Sequence, residues 1–298
     1  MTPTTTRRKA RESPVQGGPL VVVDPTARAE KTTYAQLLRE AEQRSVDVAE
    51  IHEDGDFEEI DRAASDHWAD AIAFAGADET QAKAVTVASG RELPYTCIPT
   101  GRDDYFARDL GAAPDDALDG LDDYSEYYVD LAEVNGVTFV NYVAVGLECT
   151  PAQTAGSGEP DTCASVGHAS YLVRRSKRLP HLHWFTTSGR ESCRALFVSN
   201  NWRRLEPHVI SGRARLDGGV LGVGLLGSSG ISPIDRTTAS PSLETWRWSQ
   251  LWAPLFEVDA DGPLIADVDG QKLCLEPPVR FRSLPRALRA RIRVGSRH

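Results

Sequence analysis

The sequence predicts an N-terminal α/β domain with a doubly wound, mostly parallel sheet, followed by an antiparallel, β-rich, sandwich-like domain. Up to about residue 110, short apolar runs alternate with segments of helical periodicity, the pattern of parallel strands covered by helices. Beyond about residue 131, short β-rich runs follow one another, with the hairpin dipeptide Asn135-Gly136 between the first two. We expect residues 1–17 to form a disordered tail, 18–128 the α/β domain and 129–298 the β-rich domain.

The elements of the first region form a β-α-β-α-β-α-β-α series. Leu20–Val23 is a continuous apolar run that ends at Asp24-Pro25, as expected of a parallel strand buried on both faces. Gly90 is expected to end the third helix. The predicted strands lie at 20–23, 46–51, 71–75 and 95–98, and the predicted helices lie around 34–41, around 57–68, up to about 89 and around 105–110.

Local patterns support one of these helices and predict one more in the second region. Asp56 and Glu59 have the spacing of a capping box, and the helix that follows carries four apolar residues at helical spacing on one face: Phe57, Ile60, Ala64 and Trp68. In the second region, residues 168–179 (HASYLVRRSKRL) are the one expected helix.

Composition is that of a globular protein of the reducing cytoplasm. The chain has 298 residues, of which 41% are hydrophobic, and it lacks both the run of about 20 apolar residues that crosses a bilayer and an apolar secretory segment near its start. Its five cysteines are an odd number without a C-x-x-C pair. Neither a disulfide framework nor a zinc site is therefore indicated.

Charge is distributed unevenly along the chain. The net charge of −10 argues against nucleic acid as a partner, because phosphate backbones are bound by surplus Lys and Arg. Residues 103–133 are rich in acids, whereas residues 279–298 carry only basic charges. Two interpretations stay open: solvated segments, or a basic face that makes peripheral contact with an anionic membrane or binds nucleotide.

Two polar turns follow neighbouring strands of the predicted sheet. The first holds Gly76, Asp78 and Thr80, and the second holds Thr100 and Gly101. In open parallel sheets, ligands bind outside the carboxyl ends of the strands, and a glycine turn lets backbone N–H groups approach phosphates. Seen alone, however, residues such as Asp78 and Thr80 are more often turn and cap residues than ligands.

The colinear order of these turns and of later segments resembles the diacylglycerol kinase catalytic family, which is related in fold to the NAD kinases. The resemblance extends from Leu20 to about Val294. It is carried by Gly76-Ala77-Asp78-Glu79-Thr80, by residues 99–108 (PTGRDDYFAR), by residues 134–148 (VNGVTFVNYVAVGLE), by residues 216–221 (LDGGVL), by Val268-Asp269-Gly270-Gln271 and by the closing segment VRFRSLPRALRARI.

The resemblance implies an ATP- and Mg²⁺-dependent kinase. The α/β domain would bind nucleotide and the β-rich domain would bind an acceptor, either a lipid such as diacylglycerol or a small hydroxylated metabolite of a biosynthetic pathway. Asp269 would be the general base and Asp217 a metal ligand. The implied nucleotide contacts are Gly76, Asp78, Thr80, Thr100, Gly101 and Arg102. The sequence favours no oligomeric state, and a homodimer is one alternative.

Departures from the family pattern support a second hypothesis. Glu79 brings a negative charge beside the expected polyphosphate, where two like charges about 4 Å apart repel by roughly 4 kcal/mol at an effective dielectric constant of 20. Arg102 in the facing turn would offset that charge. Gly218 and Gln271 replace family acids. The alternative is therefore a catalytically degenerate homologue that binds nucleotide, lipid or a protein partner without turnover.

Overall fold

The computed structural model describes residues 17–25, 27, 31–52, 57–100, 104–112, 118, 121–122, 124–151, 169–173, 182–186, 189–206, 209–227 and 247–293. Most of the predicted tail therefore lies outside the described residues. The described part of the chain contains four helices and twenty strands. None of these helices has the length and apolar character that crossing a bilayer requires.

The first region has the predicted alternation of strands and helices. Its elements are β1 (Pro19–Val23), α1 (Lys31–Arg44), β2 (Asp47–Glu50), α2 (Phe57–Asp66), β3 (Ala71–Ala75), α3 (Asp78–Gly90), β4 (Tyr95–Ile98) and α4 (Tyr105–Asp109). The four strands are parallel and lie in the order β4-β3-β1-β2. The doubly wound α/β fold predicted from the sequence is confirmed, and α3 ends at Gly90 as expected.

Alternation along the central strands explains why helices cover both faces of the sheet. Leu20 and Val22 of β1 pack into one apolar core with residues of α2 and α3. Val21 and Val23 point the other way, into a second core with residues of α1. Burying both faces in this way requires a continuously apolar strand.

One face of α2 differs from the prediction. Ile60 and Ala64 are buried, but the side chain of Phe57 is 45% exposed and that of Trp68 is 81% exposed. The helix ends at Asp66, and Trp68 adopts φ +50°. A residue in the left-handed region no longer follows the helical face, which is why Trp68 leaves the predicted apolar stripe.

The second region consists of strands in the part of the chain that is described. They are β5 (Tyr124–Val134), β6 (Val137–Phe139), β7 (Tyr142–Val145), β8 (Leu147–Pro151), β9 (Ala169–Val173), β10 (Leu182–Thr186), β11 (Gly189–Cys193), β12 (Ala195–Asn200), β13 (Arg203–Glu206), β14 (Val209–Arg213), β15 (Leu221–Gly227), β16 (Arg247–Ala253), β17 (Leu255–Ala260), β18 (Leu264–Val268), β19 (Gln271–Leu275) and β20 (Val279–Arg293). Their pairings are antiparallel, apart from that of β20 with β4. The predicted antiparallel, β-rich region is confirmed.

The helix predicted at residues 168–179 is wrong over residues 169–173. These residues form β9, which pairs antiparallel with β8 from Leu147↔Val173 to Pro151↔Ala169. Tyr171 and Val173 favour strands, and the ladder with β8 satisfies backbone groups that a helical pattern in the sequence cannot anticipate. Residues 174–179 lie outside the described part of the chain.

Long strands connect the two regions. β20 pairs in parallel with β4 and antiparallel with β5 and β17, so the last strand extends the N-terminal sheet. β5 runs across the predicted boundary at residue 128, and that boundary stays a prediction. A six-stranded sheet in the order β16-β15-β12-β7-β18-β19 forms a separate layer. Its β18–β19 hairpin carries Asp269 at its tip.

Candidate active site

The turn between β3 and α3 accepts glycine alone at its first position. A Cβ atom on Gly76 would lie 2.5 Å from Asp24 Oδ2 and from Phe74 Cε1, and 2.7 Å from Thr80 Oγ1. Real Cβ contacts are never so short in a packed interior. Gln81, behind the turn, donates from Nε2 to the Gly76 carbonyl at 2.9 Å. The backbone of this turn is thus closely fitted to its surroundings.

Asp24, which the sequence analysis identified only as the end of β1, holds this glycine turn. Its Oδ2 accepts hydrogen bonds from Thr80 Oγ1 at 2.6 Å and from the Ala77 N–H at 3.3 Å. Its Oδ1 accepts from the Ala27 N–H at 2.8 Å. Asp24 is fully buried. The available signal was its position at the carboxyl end of the strand beside β3, where parallel neighbours meet.

Asp78 links the first polar turn to the second. Its carboxylate, on a residue only 7% exposed, accepts from the Tyr105 N–H at 2.8 Å and from the Phe106 N–H at 3.2 Å. These N–H groups belong to the first turn of α4, which lacks intrahelical acceptors for them. Burial raises the pKa of Asp78 well above its usual range, and the nearby charge of Asp269 raises it further.

The second turn is held by Asp104. Its Oδ2 accepts from the Thr100 N–H at 2.5 Å, so the backbone of Thr100 is fixed by the residue that directly precedes α4. Gly101 and Arg102 lie outside the described residues. The predicted pairing of Arg102 with Glu79 therefore stays a prediction.

Asp269 lies at the tip of the β18–β19 hairpin. Asp269 has φ +48° and Gly270 has φ +98°, the backbone of a two-residue hairpin turn. The Asp269 carboxylate accepts three backbone N–H groups from one segment: Val140 at 2.6 Å, Asn141 at 2.9 Å and Tyr142 at 2.8 Å. Burial raises its pKa to about 6, although these hydrogen bonds and the charge of Arg213 oppose the rise.

The hairpin tip faces the glycine turn across the two regions. A Cβ atom on Gly270 would lie 3.9 Å from Glu79 Oε2, and the charge of Asp269 acts on the pKa of Asp78. The structure therefore places the hairpin tip that carries Asp269 beside the start of α3, which holds Asp78 and Glu79. The side chain of Glu79 is exposed. The carboxyl groups of Asp78, Glu79 and Asp269 therefore lie near one another where the hairpin tip meets the start of α3.

Asp217 is paired with a cation. Arg215 Nε is 3.1 Å from Asp217 Oδ1, both side chains are exposed, and the Arg215 guanidinium lowers the pKa of Asp217. Among the described residues, no cluster of three His, Cys, Asp or Glu side chains is placed to hold a metal ion. These residues do not fit a metal site at Asp217.

Protein hydrogen bonds hold the loop that contains Asp217. Asp130 accepts the Gly219 N–H at 2.6 Å and the Arg286 N–H at 2.8 Å, one on each carboxylate oxygen. Asn201 Oδ1 accepts the Gly218 N–H at 2.8 Å. Asp130 and Asn201 are both 1% exposed. The loop is therefore fixed by direct contacts from the protein.

Comparison with known proteins confirms the predicted resemblance. Residues 19–134 match the family model of the diacylglycerol kinase catalytic domain. A structure from Bacillus anthracis str. Sterne, described as a "putative diacylglycerol kinase", is 17% identical with a TM-score of 0.62, covering 97% of this chain and 100% of that chain. A "diacylglycerol kinase" structure from the same organism is 17% identical with a TM-score of 0.59, covering 96% and 100%. No curated protein matches. At this identity, the structural likeness shows the fold.

Proposed function

We propose that this protein is an ATP- and Mg²⁺-dependent kinase that phosphorylates an alcohol hydroxyl, either of a lipid such as diacylglycerol or of a small hydroxylated metabolite. The family match over residues 19–134 and the shared fold support a lipid-kinase-type function. The observation that carries the proposal is the meeting of the Gly76 turn with the Asp269 hairpin tip. The Gly76 turn suits phosphate binding, and the hairpin tip suits proton transfer.

Asp269 is the general base in this proposal. A carboxylate offers about four lone-pair positions, and three of them accept backbone N–H groups in the described part of the chain. One position remains to accept the proton of the acceptor hydroxyl. The alcohol oxygen bonds to the γ-phosphorus as the bond to the bridging oxygen breaks, which gives ADP, a phosphate ester and a proton on Asp269.

The ionisation of Asp269 suits this role. A pKa of about 6 leaves the carboxylate mostly ionised at neutral pH, yet more basic than an ordinary aspartate. General bases act best when their pKa lies close to the working pH. The three N–H bonds also fix its position, which transfer in line requires.

Asp78 and Thr80 support the nucleotide turn through their own partners. Thr80 donates to Asp24, and Asp78 accepts from the start of α4. We therefore assign the phosphate contacts to the backbone of the turn at Gly76 and to Thr100, with Gly101 and Arg102 as predicted further contacts. Mg²⁺ binds largely through phosphate oxygens and water, so it would reach the site with the nucleotide.

A second candidate function is a binding module without turnover. The convergence of Asp78, Glu79 and Asp269 favours it, because each carboxylate that stays ionised opposes an anionic nucleotide. The three N–H bonds to Asp269 are also what a purely structural hairpin clamp requires. Peripheral membrane contact, a cytoplasmic location and a homodimer stay predictions under both functions.

Phosphoryl transfer from labelled ATP separates the two functions. The full chain is incubated with Mg²⁺ and a panel of diacylglycerols and small alcohols, beside Asp269→Asn and Asp267→Asn. Asp267 lies on the same hairpin, where it accepts the Gly270 N–H at 2.9 Å, so its variant controls for disturbance of the hairpin. A kinase loses at least about a hundredfold in rate with Asp269→Asn alone. Equal losses in both variants would contradict the role of Asp269 as base, and no transfer by the wild type would support the binding module.

A further inference from the structure

Two arginines and one aspartate form a buried cluster where the first region meets the second. Asp109 Oδ2, from the last residue of α4, lies 2.7 Å from Arg203 Nη2 and 2.6 Å from Arg213 Nε. All three side chains are at most 3% exposed. Burying an ion pair costs desolvation energy, and apolar replacements are often as stable. Stability alone therefore does not account for this cluster.

Besides its contact with Asp109, Arg213 makes contacts that Arg203 does not make. Its Nη1 donates to the Val140 carbonyl at 2.7 Å, and its guanidinium also lies over the ring of Phe106 in α4, 5.7 Å from the centroid. Val140 belongs to the 140–142 segment, whose N–H groups bind the Asp269 carboxylate. One peptide segment therefore separates Arg213 from Asp269.

The other end of α4 is bound to the glycine turn. Asp78 accepts N–H groups from Tyr105 and Phe106 at the start of this five-residue helix. A continuous series of contacts thus runs from Asp78 through α4 to Asp109, then through Arg213 and the 140–142 segment to Asp269. Each link is a hydrogen bond, an ion pair or helix backbone.

We propose that Arg213, held by Asp109, is a positioning residue that sets the place of the Asp269 carboxylate relative to the glycine turn. This inference rests on the proposed kinase function and assigns Arg213 no contact with substrate. Arg213 fixes the carbonyl side of the segment whose N–H side fixes Asp269. Releasing Arg213 frees that segment to shift, and displacements of about 1 Å at a reacting group can cost a hundredfold in rate.

Arg203 is the matched control. It is equally buried and binds the same Asp109 oxygen, but its contact with the 140–142 segment is a 3.5 Å approach to the Asn141 side chain. A role confined to stability predicts similar effects of Arg203→Met and Arg213→Met. A positioning role predicts that only Arg213→Met changes the surroundings of Asp269.

The first readout is steady-state kinetics of the full chain with the best acceptor. We expect Arg213→Met to lower kcat at least about tenfold while the KM for ATP stays within about threefold, because the nucleotide turn is held by Asp24 and Gln81. We expect Arg203→Met to keep kcat within about threefold of the wild type. Equal losses of kcat in the two variants would overturn the proposal.

The second readout needs no kinase activity. The amide resonances of Val140, Asn141 and Tyr142 respond to ionisation of the carboxylate they bind, so their pH titration reports on Asp269. Loss of the Arg213 charge should move the midpoint upwards, and Arg203→Met should leave it in place. The other charged groups close to this tip are Asp78 and Glu79 of α3, together with Asp267 and Lys272 of the hairpin. Both variants leave these residues in place, although the charge of Arg203 acts on Asp78.

The two readouts separate failure of the inference from failure of the proposed function. If the wild type transfers no phosphate but the amide midpoint moves only in Arg213→Met, Arg213 acts on Asp269 as the contacts require and the kinase proposal fails. If the midpoint is the same in both variants, the positioning role is wrong whatever the activity. Should Arg213→Met not fold, Arg213→Lys keeps the charge and removes the forked contact, and it should still lower kcat at least about threefold.

Discussion

Neutralising Asp269 should change how the stability of the protein depends on pH. The folded-state pKa is about 6 against 3.8 for an ordinary aspartate, so the folded state binds a proton that the unfolded state has already released. This contribution to stability is fully present below the unfolded pKa and is lost as pH rises through about 6. Asp269→Asn removes it at every pH.

The magnitude follows from these two values. Between pH 4.5 and 7.5, linkage predicts that the wild type loses about 2 kcal/mol of unfolding free energy relative to Asp269→Asn. The charge of Asp269 also raises the pKa of Asp78, and this coupling acts in the same direction. The altered hydrogen bonds of the asparagine add an offset that does not depend on pH, so the slope carries the test.

Urea denaturation of both proteins across this pH range measures the difference. The wild type should lose stability relative to Asp269→Asn as pH rises, with most of the change between about pH 5 and 7. A flat difference would mean that the three N–H bonds fully offset burial. A difference of opposite slope would mean a lowered pKa, and the assignment of Asp269 as a base near neutral pH would be refuted.

Three further predictions concern the turn, its charge and the Asp217 loop. Gly76→Ala should lower the free energy of unfolding by about 1–3 kcal/mol in urea denaturation, because its Cβ has no space; Gly90→Ala, with open space, should not, and equal effects would contradict this. Glu79→Gln should lower the KM for ATP about fivefold, because it removes the water-screened repulsion between an exposed carboxylate and the nucleotide. An unchanged or higher KM would refute a repulsive role. EDTA should leave the Tm of the nucleotide-free protein within about 1 °C, and a larger fall would reveal a structural metal near Asp217.

The first half of the fold was predictable because its signals are local. Ala71–Ala75 is an uninterrupted apolar run, and a strand buried on both faces needs one. Gly76 follows directly, so the turn and the next helix could be predicted together. The contact between Asp24 and Thr80 spans 56 residues and depends on β1 and β3 being neighbours. No local pattern contains that information.

The second half was predictable in kind but not in its connections. Short β-rich runs after residue 131 indicated antiparallel strands, and these are present. Residues 169–173 have a helical pattern, yet pairing with β8 decides their structure. The addition of β20 to the parallel sheet is likewise a contact between distant segments. Pairing over such distances depends on tertiary packing, which overrides propensity.

In the candidate site too, residues with local signals were predictable and contacts between distant residues were not. The sequence identified Asp78 and Asp269 as acidic residues in turns, and the structure brings them together across the two regions. Their hydrogen-bond partners, the N–H groups of α4 and of residues 140–142, were invisible because backbone donors have no sequence signature. Asp109 and Arg213 escaped notice for a related reason: their pairing spans 104 residues.

Calorimetric titration of the full chain with Mg²⁺-ATP tests the central claim most directly, because it requires no knowledge of the acceptor. The account predicts saturable binding of one nucleotide per chain, weakened in Gly76→Ala and strengthened in Glu79→Gln. Absence of heat from the wild type at millimolar nucleotide, a binding free energy weaker than about −4 kcal/mol, would contradict nucleotide binding at the Gly76 turn and the kinase function with it.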